Sequence, residues 1–295
     1  MIAKERGFFL LTSQLGDPGR KPMTVAQFRN LANRAAKMEK PLHTRDLTVQ
    51  DLTAIGYSRQ EADRILCLLD EEDRLDAYLW RGHTAGCVPI SRVSADYPAA
   101  VRQRLGLDAP GCLWAKGDLS LLKTRTVSLV GCRELKEMNR DFAEKAGREA
   151  ARQGITLVSG NARGADRAAQ AACLENGGKV ISIVSDELQK YAPQENLLYV
   201  SEDGFDLPFS AQRALSRNRV IHTLGYISLV AQCDFGAGGT WDGTVKNLRH
   251  GWSPVFCCDD GSPAAIELEQ LGATLITEAQ LTDLSLLRPA VFSLL

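Results

Sequence analysis

The segment Val158-Ser159-Gly160-Asn161-Ala162-Arg163-Gly164-Ala165-Asp166 has the residue types and spacing to hold an anion. Two glycines four residues apart let the chain turn tightly and leave backbone N–H groups exposed where a helix begins near Ala165. Arg163 at the turn can reach a phosphate with two parallel hydrogen bonds. Asp166, in the first helical turn, suits the positive end of the helix dipole and can cap it. The bland alternative is an ordinary glycine-bearing turn with a solvent-facing arginine, and spacing alone weighs the two evenly.

Three further stretches carry similar chemistry. Val130-Gly131-Cys132-Arg133 combines a glycine that permits close backbone approach with the charge of Arg133, and its plain alternative is a turn. Gly236-Ala237-Gly238-Gly239-Thr240-Trp241-Asp242-Gly243 runs into a helix TVKNLRHG, which brings Lys246, and directs a second set of N–H groups from Gly239 and Thr240. Between them, Arg213-Ala214-Leu215-Ser216-Arg217-Asn218-Arg219-Val220-Ile221 places Arg213 and Arg217 at i and i+4 of a helix, away from the Leu215, Ile221 and Leu224 side. A run of solvated arginines is the default alternative. Together Arg133, Arg163, Arg213, Arg217 and Arg219 exceed what one nucleotide needs. Several phosphates in a row, as in single-stranded nucleic acid, would use them all, each adding about −0.7 to the salt slope of log K. Base stacking would fall to Trp241 or Tyr191, unless these are core residues.

Other chemistries lack their motifs. The sequence has no G-x-x-x-x-G-K-[ST], no G-x-G-x-x-G after a strand and no G-x-S-x-G elbow, so ATP hydrolysis, NAD chemistry and a hydrolase triad find no support. The eight cysteines form no C-x-x-C pair and the four histidines, His43, His83, His222 and His250, are scattered, so neither a metal nor a cofactor is expected.

The elements that must position these residues follow from the periodicity. From Thr126 onward, TVSLV (126–130), ITLV (155–158), KVISIV (179–184), YISLVA (226–231), PVFCC (254–258) and ATLI (273–276) alternate with polar stretches of helical length. That is the pattern of βαβ units: a Rossmann-like parallel sheet with helices on both faces, whose ligands bind beyond the carboxyl ends of the strands. Up to about Arg81 the text is helical, with capping-box spacings at Thr24/Gln27 and Ser58/Glu61 and a helix, turn, helix centred on Gly56. That hairpin resembles units that touch DNA backbones, but packing on a neighbour is the favoured reading. The expected domains are a small helical domain over 1–85, a lead-in over 86–122, the Rossmann-like domain over 123–280 and a tail over 281–295.

Length and charge set the outer bounds. The 295 residues, 44% hydrophobic, suffice for two cores, and a net charge of −1 gives no overall field that would draw the molecule to a polyanion or an anionic membrane. Residues 1–122 and 123–255 each carry 17 basic and 15 acidic side chains, whereas 256–295 carry 1 and 6, so an anion site must be local. No apolar run approaches the ~20 residues of a membrane helix, and the apolar stretch at the start is too short for a signal peptide, so a cytoplasmic protein is expected.

The order VGCR, SGNARGAD, YAPQEN (191–196), SRNRVI (216–221) and GGTWDGTVKNLRHG resembles the DNA-processing protein A (DprA, Smf) family, with Asp96-Tyr97-Pro98 and GDLSLL (117–122) resembling its lead-in. The resemblance runs from about residue 90 to 260. It implies a homodimeric single-stranded-DNA-binding protein without turnover that protects incoming DNA and helps load a RecA-type recombinase in transformation or recombination. By motif position its DNA pocket would comprise Arg133, Arg163 and the Arg217-Asn218-Arg219 triplet, beside the phosphate-binding candidates Ser159, Gly160 and Gly164 of the turn. Departures are Cys132 where the family usually has serine, Asn161 where leucine is common, the shorter FDLPFSAQRAL before the triplet, GGTWDG in the last motif, and the lack of a winged-helix pattern after it. A member specialised for phage defence or nucleotide sensing would look much the same. The competing class is a phosphoribohydrolase cleaving nucleoside monophosphates, with Asp242 helping to expel the base.

Overall fold

The computed structural model describes residues 2–38 and 47–287, so His43 and the last eight positions of the expected tail lie outside the described residues. The N-terminal third is helical: α1 (Ala3–Thr12), α2 (Val25–Ala35), α3 (Val49–Ala54), α4 (Arg59–Leu69) and α5 (Glu72–Thr84). Reciprocal capping boxes start α2 at Thr24/Gln27 and α4 at Ser58/Glu61. Gly56, at φ +91°, makes the turn between α3 and α4, and Arg34 of α2 donates to its carbonyl at 2.8 Å while lying 4.6 Å over the Tyr57 ring. The hairpin therefore faces α2 with its turn.

The remaining elements are β1 (Val88–Ser91), α6 (Ala99–Leu105), β2 (Cys112–Lys116), β3 (Thr126–Val130), α7 (Glu137–Arg152), β4 (Thr156–Ser159), α8 (Ala165–Glu175), β5 (Val180–Val184), β6 (Leu197–Glu202), α9 (Ala211–Ser216), α10 (Asn218–Leu224), β7 (Ser228–Val230), α11 (Gly238–His250), β8 (Val255–Cys258), α12 (Pro263–Gln270) and β9 (Thr274–Ile276). The nine strands of the described residues form one sheet in the order β1-β2-β6-β5-β4-β3-β7-β8-β9. The run from β6 to β9 is parallel, and β2 and β1 are added antiparallel at one edge.

Each of the six apolar runs read from the sequence is a strand of the parallel sheet. Three strands were not foreseen. β1 carries Pro89, which lacks a ladder donor and is tolerated because this is an edge strand. β2 lies within the segment taken as a lead-in, which thus contributes two strands and α6 to the sheet domain. β6 follows directly on the polar YAPQEN loop, which hid its short apolar run.

The faces of the sheet bury separate cores. One is covered by α6, α10, α11 and α12, including Val101, Ile221 and Leu268, and the other by α7 and α8, including Phe142, Ala146 and Ala169. The N-terminal helices make a third core around Trp114 of β2, which is 0% exposed and meets Phe9, Tyr78 and Phe205 at centroid distances of 4.8–6.3 Å. Gly82 of α5 has no room for a Cβ because the Trp114 ring occupies it. Among the described residues no helix is long and apolar enough to cross a membrane.

Candidate functional site

The strand order reverses at β3: the chain builds outward through β4, β5 and β6, then returns to β7 on the other side of β3. A ligand crevice in such a sheet opens beyond the strand ends at this switch point. A cleft of about 710 Å³ lies there, lined by the turn after β3 (Gly131, Cys132, Arg133), the turn after β4 (Ala162, Arg163, Asp166), the start of α11 (Gly238, Gly239, Thr240) and the α9/α10 segment (Leu215, Arg217, Asn218). A smaller cleft of about 270 Å³ adjoins it, sharing Arg133, Arg163, Phe209 and Arg217 and adding Gly160, Asn161 and Tyr191.

The turn after β4 is built by backbone that favours glycine and asparagine. Asn161 has φ +64° and Gly164 φ +91°, and a Cβ at Gly164 would strike the carbonyls of Cys132 and Arg133. This close approach fixes the Arg133 and Arg163 turns against each other. Asp166 does not cap α8 as expected from its position. Its Oδ2 instead accepts from the Ala162 amide at 3.0 Å and faces Nη2 of Arg217 at 3.7 Å. Both partners are buried, with side chains 7% and 8% exposed. Burial pushes the Asp166 carboxyl up and the Arg217 guanidinium down, and their mutual attraction opposes both shifts. Nε and Nη1 of Arg217 have no acceptor among the described residues, so a buried cation with spare donors sits at the junction of the two clefts.

At the rim the charges are open. Among the described residues Arg133 has no ion pair or side-chain hydrogen bond, and Arg163, 71% exposed, pairs only with the still more open Glu134 at 3.0 Å. Thr240 donates to the Gly131 carbonyl at 3.0 Å, tying the glycine-rich start of α11 to the turn after β3. Asn218 donates to the Gly239 carbonyl at 2.8 Å and holds α10 against the same segment.

Residues 89–280, more than half of the chain, match the family model described as DNA recombination-mediator protein A. The chain belongs to this family. It is 31% identical over 193 residues to DNA processing protein DprA of Streptococcus pneumoniae, covering 59% of this chain and 66% of that protein. It is 33% identical over 119 residues to DprA of Bacillus subtilis, covering 40% of this chain and 39% of that protein, so the chain matches under two thirds of the length of these curated relatives. The X-ray structure of the pneumococcal protein superposes with a TM-score of 0.67 at 26% identity, covering 95% of this chain and 94% of that one. DNA processing protein A from Helicobacter pylori, whose structure is described for its single-stranded DNA binding mode, shares the fold at a TM-score of 0.57 and 23% identity, over 66% of this chain and 94% of that one.

In this DprA-family chain the structure brings together Arg133, Gly160, Arg163, Arg217, Asn218, Gly239 and Thr240 around the clefts, with Gly164 packed against the carbonyls of Cys132 and Arg133. Ser159 is fully buried at the end of β4, beside Asp166. Three expected residues stand differently. Arg213 does not form an exposed stripe with Arg217: α9 ends at Ser216, and the Arg213 guanidinium turns inward to the carbonyls of Ser185, Leu207 and Pro208 and to Ser201 Oγ. Arg219 is held by the buried Glu202 at 2.8 Å, whose own carboxyl is pushed up by burial against the pull of that arginine. Lys246 pairs with Asp242 at 2.8 Å on the outer face of α11, and neither lines the cleft. Sequence periodicity could not see the partners of Arg213 and Arg219, because they come from β6, the loop after it and the end of β5, whereas the Asp242–Lys246 pair has the i, i+4 spacing of a helix.

Two aromatics also sort themselves. Trp241 stands edge-on to Phe235 at 5.2 Å and packs toward the core, and Tyr191 is bonded to Asp186 at 2.7 Å and Asn161 at 3.3 Å. The residue that sequence reasoning missed is Phe209, 57% exposed and lining both clefts. Its signal was a second phenylalanine in the loop FDLPFSAQ, four residues after the buried Phe205 and in a stretch with no regular periodicity. Cys132 also lines the cleft, its thiol pushed up to about 11 by burial and the nearby Asp234, which makes it a poor nucleophile. Among the described residues no group of three or more His, Cys, Asp or Glu side chains is placed to hold a metal ion.

Proposed function

We propose that this chain binds single-stranded DNA in the cleft beyond β3, β4 and β7, as a binding protein without turnover serving transformation, recombination or phage defence. The observation that carries the reading is the convergence of Arg133, Arg163 and Arg217 from three separate segments on one cleft, with the buried Arg217 retaining unused donors. The Arg133 and Arg163 guanidinium groups suit phosphates at the rim, Arg217 would act from below, and Phe209 offers a face to a base. Phosphate contacts position a strand without reading it, so binding is expected to be indifferent to sequence. Family membership and the description of the Helicobacter pylori relative support the same ligand. The domain division at 85, 122 and 280, a homodimer, a RecA-type partner and a cytoplasmic location belong to this reading as proposals.

The phosphoribohydrolase alternative is weakened by the position of Asp242, the acidic group that would expel the base, which stands on the exposed face of α11 and does not line the cleft. The test is fluorescence anisotropy with labelled oligo(dT), duplex DNA and mononucleotides at two salt concentrations. Tight, salt-sensitive binding of the single strand is expected. Release of free base from a nucleoside monophosphate by the purified protein would overturn the reading in favour of the enzyme.

A further inference from the structure

The two helices that follow β3 and β4 lie side by side on one face of the sheet. Gly147 of α7 has no Cβ to keep the Ala169 backbone of α8 away, and between Arg167 and Glu175 α8 lines the groove with the small side chains of Ala168, Ala171 and Ala172. Close packing and small side chains leave a groove of about 880 Å³ open to solvent along the helix pair.

The groove is continuous with the strand-end cleft, since Arg133, Glu134 and Arg163 line both. Leading away from that rim stand Arg140 and Arg148, two turns apart on α7, with Arg167 opposite on α8. Neither Arg140 nor Arg167 has an ion pair or side-chain hydrogen bond among the described residues. Arg148 meets Glu144 at 3.5 Å, an exposed pair of the kind worth little. Five arginines face three carboxylates, Glu134, Glu144 and Glu175, in a molecule whose net charge is −1. The surplus ends there: Lys145, on another side of α7, is bound to Glu278 at 3.4 Å, and Arg152, one turn beyond Arg148, to Glu149 and the Thr282 carbonyl.

We infer that the α7/α8 groove is a second stretch of the polynucleotide path, taking the phosphates of a strand that leaves the cleft past Arg133 and Arg163. The inference rests on the single-strand reading of the cleft. Arg140 and Arg148 are separated by about 12 Å of helix rise, enough for more than one phosphate at the roughly 3.4 Å per nucleotide of a stacked strand. No aromatic side chain lines the groove, so this stretch holds backbone only, without stacking.

The experiment uses the full chain, with labelled oligo(dT) of about 6 and about 20 nucleotides, lengths that bracket common single-strand site sizes. The wild type is expected to bind the longer strand more tightly. Arg140→Ala/Arg148→Ala, which suits a helix and should fold normally, is expected to bind the short strand as the wild type does and to lose the length advantage. Its salt slope on the longer strand should fall by about 1.4, two phosphates' worth. An unchanged slope and affinity on the longer strand, or an equal loss on both lengths, overturns the groove path while the cleft stands. If the wild type does not bind the short strand and Arg133→Ala binds the longer one normally, the cleft reading fails and the groove path with it.

Discussion

The guanidinium of Arg217 occupies the space in which a side chain at Gly160 would have to stand. The glycine after β4 therefore serves a purpose other than turning: it makes a berth for a buried cation from a segment more than fifty residues away. Asp166 fixes the other side of that cation, and a buried pair of this kind adds less to stability than to keeping one geometry.

Gly160→Ala should expel Arg217 from its berth. Oligonucleotide binding is expected to drop together with about 1–3 kcal/mol of stability, as overpacking typically costs. Anisotropy and urea unfolding read the two effects, and unchanged binding in the variant would separate Arg217 from the ligand.

Arg133→Ala and Arg163→Ala remove exposed rim charges with little structural commitment. Each should weaken single-strand binding equally for all base sequences and lower the salt slope by about 0.7. A loss confined to particular sequences would indicate base contact instead.

Phe209→Ala should cost about 1–3 kcal/mol of single-strand affinity, the range for one stacked base, and Phe209→Trp should retain it. Stability is expected to change little because the ring is largely exposed. The pair of variants, compared on oligo(dT) and on inorganic phosphate competition, tells stacking from charge.

His222 is fully buried beside Ser228 Oγ at 2.9 Å and Asn247 at 3.2 Å, and burial pushes its pKa down to about 4. Because the unfolded chain protonates near 6.5, the contribution of neutral His222 is complete above that pH and is lost as pH falls through 4. Up to about 3 kcal/mol of acid destabilisation is expected from this one group. His222→Gln should remove that part of the pH dependence, measured by denaturant midpoints between pH 7 and 4.

Trp114→Ala should cost about 3–5 kcal/mol by leaving a cavity between β2 and the N-terminal helices. A coincident loss of helical and sheet signals on heating would confirm that the N-terminal core and the two sheet cores unfold together, and a separate early helical transition would refute it.

The parallel sheet was legible because strands buried on both faces must be written in unbroken apolar runs, as Thr126–Val130 and Val180–Val184 are. The glycine-rich turns were legible because positive φ leaves a mark in residue choice, at Gly164 above all. Arg213 and Arg219 were not, since an arginine destined for a carbonyl cluster and one destined for solvent look alike until the distant strand that supplies the acceptors is in place. β1 escaped for the opposite reason: Pro89 argues against a strand everywhere except at an edge.

The antiparallel pairing of β2 with β6 gives the segment between the N-terminal helices and β3 a further role. A fragment cut just before β3 would uncover the flank of β6, whose apolar ladder is then free to recruit another copy. Anyone trimming this protein to its sheet should expect precipitation, because β2 must stay to pair with β6 and the N-terminal helices must stay to cover Trp114.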